Sequence, residues 1–180
     1  QIMESFKNRQ RLERANAELA RIHMLDPMTG IYNRRGFYKN VRKLISKAEK
    51  QSVGVWVFSI DMDNLKKIND LYGHNEGDKA IKAVASLMTK CTAEGGICSR
   101  FGGDEFVAVI AETDGADSFY EKISRSIAEY NRRSKSPYDV SISCGCKVGK
   151  PKTLKEIDDL MKASDREMYT QKRKHHSRRD

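Results

Sequence analysis

The strongest constraint on the fold is a glycine pair between two apolar runs at residues 100–110, RFGGDEFVAVI. Gly102-Gly103 can adopt positive φ, and paired glycines between strand-like segments are typical of a tight β-hairpin. Asp104 and Glu105 are then expected at the hairpin tip, where carboxylates reach solvent and a ligand. Two glycines followed at once by two acids suit a site where a backbone or a phosphate comes close, although a solvated turn is the alternative.

A second acidic segment begins where a long apolar run ends. The run VGVWVFSI at 53–60 predicts a central strand buried on both faces, and Asp61 follows it directly. If this strand pairs with one arm of the hairpin, Asp61 and Asp104 lie side by side. Such carboxylates repel each other unless a cation intervenes, and their oxygens suit Mg²⁺ beside a phosphate. The alternative is that Asp61 and Asp63 are the N-cap and first-turn acid of a helix, worth about 1 kcal/mol.

Helices alternate with short strands along the rest of the chain. The apolar pattern predicts helices over 33–50, 78–90, 116–133 and 153–174, and strands over 97–101, 106–111 and 140–148. Short strands, one hairpin and long helices predict an α+β fold, in which helices flank a largely antiparallel central sheet.

Residues 1–25 predict a separate, solvent-exposed helix, because they contain helix formers and no Gly or Pro. Its apolar residues recur at heptad-like spacing: Leu12, Ala15, Leu19 and Ile22. Asp26-Pro27 is expected to end the helix, since a residue before proline avoids the α region. Such a helix could pair with its copy in a dimer.

The net charge of +9 is concentrated at the two ends of the chain. Residues 1–25 carry a net +2 and residues 171–180 a net +4, which leaves a modestly basic body that suits an anionic nucleotide. No aromatic residues interleave with the basic ones, so we expect a solvated tail and no nucleic-acid partner. No apolar run approaches the ~20 residues of a membrane span.

The chain has four cysteines: Cys91, Cys98, Cys144 and Cys146. They lack the spacing of a zinc site and are expected to be small core or subsurface residues in a reducing cytosol. We therefore expect a cytoplasmic domain. The chain starts with Gln1 rather than Met, which suggests a piece of a longer protein that has an upstream sensory domain and could be attached to a membrane.

Five segments occur in an order that resembles a known family: DPMTGIYNRRGF at 26–37, DMDNLKKINDLYGHNEGD at 61–78, RFGGDEF at 100–106, SISCGC at 141–146 and ASDREMYTQK at 163–172. Across these residues the chain resembles the GGDEF domain of the diguanylate cyclase family. The resemblance implies a palm-like α+β fold, related to nucleotidyl cyclases and ferredoxin-like sheets. It divides the chain into an N-terminal signalling helix (1–25), a cyclase domain (26–174) and a basic tail (175–180).

The resemblance also implies the reaction, in which two GTP molecules are condensed into cyclic di-GMP and two pyrophosphates are released. It implies that Asp61, Asp104 and the backbone carbonyl of Met62 hold Mg²⁺, with Mn²⁺ as the alternative ion. Asp104 would also help to remove the proton from the attacking 3′-hydroxyl, and Glu105 would be a supporting carboxylate.

Substrate contacts follow from the same resemblance. Lys66 and Lys172 would meet the triphosphate, although Lys66 could instead be an ordinary exposed helix lysine. The backbone amides of Asn64 and Leu65, at a helix start, would meet phosphate as well. A further group would surround the base: Asn69, His74 and Asp78. Of these, Asn69 and Asp78 would read guanine, because adenine would leave a buried Asp78 unpaired, and His74 would shape the loop.

The chain departs from the family pattern at two places. Lys172 is followed by RKHHSRR rather than the usual Gly-Arg-Asn segment, with His176 at the position of the arginine. The Arg-x-x-Asp product site of many members corresponds here to Ala93-Glu94-Gly95-Gly96, which lacks both charged residues. We therefore expect product inhibition through this site to be absent.

Each domain would hold one GTP, so ring closure is expected to need a homodimer through the domain face and the N-terminal helix. The competing interpretation is a catalytically inactive GGDEF module that binds GTP or a partner domain. A DNA-binding helix with a basic tail is a third and weaker interpretation.

Overall fold

The computed structural model describes residues 2–92, 95–114 and 116–176, and within them four strands form one sheet. The strands are β1 (Val55–Met62), β2 (Ile97–Gly102), β3 (Glu105–Ala111) and β4 (Ile142–Gly149). Their order is β2-β3-β1-β4, and every neighbouring pair is antiparallel. The α+β fold with a largely antiparallel sheet is thus confirmed.

Six α-helices accompany the sheet in the described residues: α1 (Ile2–Ile22), α2 (Arg34–Lys50), α3 (Leu65–Tyr72), α4 (His74–Cys91), α5 (Ala116–Arg133) and α6 (Leu154–His176). Alternate residues of β1 point to opposite faces of the sheet. Phe58 and Ile60 pack with α4 and α5, whereas Val55 and Val57 pack with α2 and α6. The central strand is therefore buried on both faces, as the apolar run predicts.

Two boundaries differ from the prediction for a physical reason. The helix predicted from Asp78 begins at His74, directly after Gly73, whose φ of 88° lets the chain turn sharply out of the short helix α3. The strand predicted from Val140 begins at Ile142. The backbone N–H and C=O of Val140 bond instead to the Asn131 side chain, at 2.9 and 2.8 Å, so they are not available to the sheet.

The packing of α6 on β4 depends on Gly145. A Cβ at this position would overlap the backbone carbonyl of Ser164 and the backbone nitrogen of Met168. The helix backbone therefore lies directly on the strand, and the Ser59 and Ser164 hydroxyls, 2.6 Å apart, link the helix to β1. This contact fixes where the later turns of α6 reach the sheet edge.

The two cysteines of β4 are core and subsurface residues, as predicted. Cys144 belongs to the core on the α4–α5 face, and Cys146 packs against the same core. Burial, followed by the charges of neighbouring groups, raises the pKa of the Cys144 thiol to about 12. All four cysteines are described and none forms a disulfide.

The N-terminal helix α1 stands apart from the core. Leu12 and Leu19 are 63% and 55% exposed, so these two residues of the predicted apolar stripe are open to solvent. The helix ends at Ile22, four residues before Asp26-Pro27. None of the helices in the described ranges is both long and apolar enough to cross a membrane. Of the predicted basic tail, residues 177–180 lie outside the described residues.

Candidate active site

The glycine-rich hairpin meets the end of β1. In the sheet, Asp61 is the partner of Glu105, and the Met62 N–H donates to the Asp104 carbonyl at 2.9 Å. The two-residue turn is Gly103-Asp104, with φ of 38° at Gly103, so that Asp104 lies at the tip and Glu105 opens β3. The predicted pairing of this strand with the hairpin is confirmed. The turn lies one residue later than the glycine pair suggests.

Lys172 reaches this point from α6. Its Nζ donates to Asp61 Oδ1 at 2.5 Å, and both side chains are partly buried. Burial opposes the charge of Lys172, but the bond to Asp61 and the charges of Asp61, Asp63 and Asp104 outweigh it and raise the lysine pKa. The structure thus brings the lysine from the C-terminal part of the chain to the same site as the acids.

The pKa of the Asp61 carboxyl reflects its burial and the charged groups around it. Burial raises the pKa of its carboxyl, the bond from Lys172 lowers it, and the charges of Asp104 and Asp63 raise it again. The net pKa lies above the ordinary value. A cation placed between these carboxylates would relieve the repulsion.

Asp63 has a different environment from Asp61. Its carboxylate accepts hydrogen bonds from the Ser143 and Ser141 hydroxyls, at 2.7 and 3.1 Å, and its N–H donates to the Ser141 carbonyl. The N-cap of α3 is Asn64, in the left-handed region at φ 58°. The alternative in which Asp61 caps this helix is therefore wrong, and Asp63 ties the loop after β1 to β4.

The start of α3 presents the residues predicted to meet phosphate. Asn64 caps the helix without a side-chain hydrogen bond, and Leu65 begins it. The first N–H groups of a helix have no partner within the helix and attract anions. Lys66 is exposed on this first turn. The structure places these groups directly after β1, close in sequence to Asp61.

The residues predicted to read guanine lie on the two sides of the α3–α4 junction. Asn69 is in α3, and its side-chain oxygen lies against Gly77, where a Cβ would overlap it. Asp78 follows Gly77 in α4 and is half-buried. His74 is the exposed first residue of α4 rather than part of a loop. The absence of a side chain at Gly77 thus brings Asn69 close to the turn that carries Asp78.

The structure contains an ion pair at the hairpin that the sequence analysis did not predict. Arg100 donates from Nε and Nη2 to the Gly103 carbonyl, at 3.0 and 2.9 Å, and from Nη1 to Asp26 at 3.2 Å. Burial opposes the charge of Asp26, but hydrogen bonds from Thr29 and Arg100 outweigh it and lower the pKa of this carboxyl. The pair ties the turn that carries Asp104 to the segment after α1.

An oxygen-rich donor set at this site fits a hard divalent cation. Its predicted members are the Asp61 and Asp104 carboxylates and the backbone carbonyl of Met62. Within the described ranges, no three His, Cys, Asp or Glu side chains are grouped so as to hold a metal ion. An ion here would therefore take its other ligands from backbone, water and substrate phosphate, as Mg²⁺ commonly does.

The fold and the hairpin site are those of a palm-like α+β domain with acids at the end of its central strand. Residues 23–178 match the family model described as "Diguanylate cyclase, GGDEF domain", and the chain therefore belongs to the GGDEF domain family.

Named relatives agree with this membership. Diguanylate cyclase DgcP of Escherichia coli (strain K12) is 34% identical over 167 residues, which cover 91% of this chain and 49% of DgcP. Diguanylate cyclase DgcM of the same strain is 34% identical over 153 residues, which cover 82% of this chain and 35% of DgcM. The chain thus spans about half or less of the length of these relatives.

A solved structure shows the same fold. The coiled coil and GGDEF domain of DgcB from Caulobacter crescentus, in complex with c-di-GMP, has a TM-score of 0.81 at 23% identity. The likeness covers 96% of this chain and 92% of the DgcB chain.

Proposed function

We propose that this chain is a diguanylate cyclase domain, which condenses two GTP molecules into cyclic di-GMP and releases two pyrophosphates. The observation that carries the proposal is the hairpin pairing, in which the Met62 N–H donates to the Asp104 carbonyl while Lys172 bonds to Asp61. Family membership supports the same activity.

The reaction forms one P–O bond and breaks another in each half. The 3′-hydroxyl of one GTP attacks the α-phosphorus of the other, the α–β bridging bond breaks, and pyrophosphate leaves. Asp104 accepts the hydroxyl proton at the hairpin tip. Lys66 and Lys172 stabilise negative charge on the triphosphate, and Glu105 supports the acidic cluster. When bound, Mg²⁺ or Mn²⁺ would supply charge neutralisation on phosphate, held by Asp61, Asp104 and the Met62 carbonyl.

Guanine specificity is assigned to the α3–α4 junction. The Asp78 carboxylate accepts from the guanine N1–H and 2-amino groups, and the Asn69 amide meets O6 or N3. Adenine lacks these donors, so it would leave Asp78 unpaired at a cost of about 1–3 kcal/mol. This chemistry makes GTP the substrate.

Chromatographic identification of the product formed from GTP and Mg²⁺ tests the proposal directly. Cyclic di-GMP together with two equivalents of pyrophosphate is the expected result. GTP that binds but remains unconverted over a range of protein concentrations would instead support the inactive module.

The N-terminal helix is proposed to bring two domains together. A parallel pair of α1 helices would raise the effective concentration of the two half-sites. Deleting residues 1–25 should lower turnover by roughly tenfold or more when the protein is dilute, and much less when it is concentrated. The measurement is initial rate against protein concentration, and an unchanged dilution profile would contradict the role of α1.

A point-mutant pair serves as a control for that deletion. Replacing Leu12 and Leu19 by Gln keeps the helix length but removes exposed apolar side chains, so it should reproduce the dilution defect. Lys7 and Arg14 lie on the same helix but outside the heptad stripe, so replacing them by Ala should not reproduce the dilution defect.

Cyclic di-GMP should not inhibit the enzyme through residues 93–96, because they lack the Arg-x-x-Asp motif. Residues 93 and 94 lie outside the described residues. Rates measured against added cyclic di-GMP should stay constant through the submicromolar range. A fall by half in that range would contradict this prediction.

A further inference from the structure

The segment between α5 and β4 contacts both helices that carry the proposed guanine-reading residues. The Tyr138 ring lies 5.5 Å from the Tyr72 ring, centroid to centroid, at the C-terminal end of α3. The Tyr138 hydroxyl donates to the Glu76 carbonyl at 2.9 Å and lies 3.1 Å from the Glu76 carboxylate, in the first turn of α4. One side chain thus spans the junction between α3 and α4.

The segment that carries Tyr138 is itself held in place. The Tyr72 hydroxyl donates to the Pro137 carbonyl at 3.1 Å, one residue before Tyr138. On the other side, the Asn131 side chain bonds both backbone groups of the buried residue Val140. Tyr138 is therefore anchored on both sides, and its contacts can restrain the two helices.

The junction that Tyr138 spans turns at Gly73, and the Asn69 side chain packs directly on Gly77 across it. Gly73 separates α3 from α4 at φ 88°, and a Cβ built there would meet no atom within 4 Å. Asn69 precedes Tyr72 by three residues, and Asp78 follows Glu76 by two. A change in the angle at Gly73 would therefore change the separation of Asn69 and Asp78.

We propose that Tyr138 is a positioning residue for guanine recognition, which sets the separation of Asn69 and Asp78 by holding Tyr72 and Glu76. The inference rests on the proposed function in that guanine is taken to bind at this junction. In this proposal Tyr138 acts through the two helices rather than on the nucleotide itself. Burial and the bond to Glu76 raise the pKa of its hydroxyl.

The test compares nucleotide binding by the 180-residue chain and its Tyr138→Phe variant. Phenylalanine keeps the ring contact with Tyr72 but removes the hydrogen bonds to Glu76. The probes are the α,β-methylene analogues of GTP and ITP, which cannot release pyrophosphate, so affinity is measured without turnover. ITP lacks the 2-amino group that Asp78 is proposed to bind, so the ratio of the two affinities reports on base recognition.

We expect Tyr138→Phe to weaken binding of the GTP analogue roughly three- to tenfold, which is the range of a lost hydrogen bond. Binding of the ITP analogue should weaken by a smaller factor. The preference for guanine should therefore fall. Tyr120→Phe, which changes a half-exposed tyrosine of α5, is the matched control and should leave both affinities unchanged.

Three results would overturn the inference: unchanged affinities in Tyr138→Phe, equal weakening of both analogues, or no binding of the GTP analogue by the unaltered chain. Equal weakening with a lower melting temperature would indicate a role in folding alone. Failure of the proposed cyclase reaction is distinguishable, because the unaltered chain would then bind the GTP analogue yet form no cyclic di-GMP from GTP.

Discussion

Replacement of Asp104 by asparagine should lower the rate of cyclic di-GMP formation by roughly a thousandfold or more, because it removes a proton acceptor and a metal ligand together. Asparagine has nearly the same size, and the hydrogen bond from the Met62 N–H uses the backbone carbonyl of residue 104, so the hairpin should stay in place. The measurement is the initial rate with GTP and Mg²⁺.

Thermal unfolding separates lost chemistry from lost structure in this variant. The charge of Asp104 contributes to the raised pKa of Asp61, so removing it relieves repulsion and should leave the melting temperature unchanged or slightly higher. Asp159→Asn removes an exposed acid on α6 and is the matched control, with full activity expected. More than a tenth of the original rate in Asp104→Asn would refute the assigned role.

Local sequence patterns predicted the parts of the fold that depend on nearby residues. The apolar run before Asp61 predicts a buried strand, and paired glycines predict a hairpin, because burial and turn conformation are encoded within a few positions. The helix predicted over 116–133 has the same bounds as α5. Pairing of β1 with β3 then brings Asp61 next to the hairpin tip.

Contacts between distant segments were not predictable in this way. Arg100 and Asp26 are 74 positions apart, and only the folded sheet places the arginine between that acid and the Gly103 carbonyl. The serine contacts of Asp63 arise likewise, because Ser141 and Ser143 lie on the strand that pairs with β1. The residues themselves were visible in the motifs, but the motifs do not say which of them meet.

The break between α3 and α4 was only partly predictable from the local sequence. Gly73 permits the positive φ at the junction, yet the surrounding residues are compatible with either a loop or a helix. The start of β4 had a comparable ambiguity, since Val140 is apolar and buried but bonds to Asn131 rather than to the sheet. The positive φ at Gly73 decided the first boundary, and the tertiary hydrogen bonds from Asn131 decided the second.

Gly145→Ala should impair both stability and activity, because its methyl group would overlap backbone atoms of Ser164 and Met168 rather than a side chain that can rotate away. Overpacking of this kind costs about 1–3 kcal/mol, so a melting temperature lower by roughly 2–10 °C is expected. Displacement of α6 would also move Lys172 from Asp61, so the cyclase rate should fall by more than the unfolded fraction explains.

Gly149→Ala provides the matched control for this prediction, since it lies on the same strand and the same face. Its methyl group would meet the side chain of Leu160 at 3.0 Å, and that side chain can shift at little cost. Its melting temperature and rate should therefore stay close to those of the unaltered chain. Equal effects of the two substitutions would mean that β4 tolerates no added volume anywhere on this face, and the specific link from Gly145 through α6 to Lys172 would be lost.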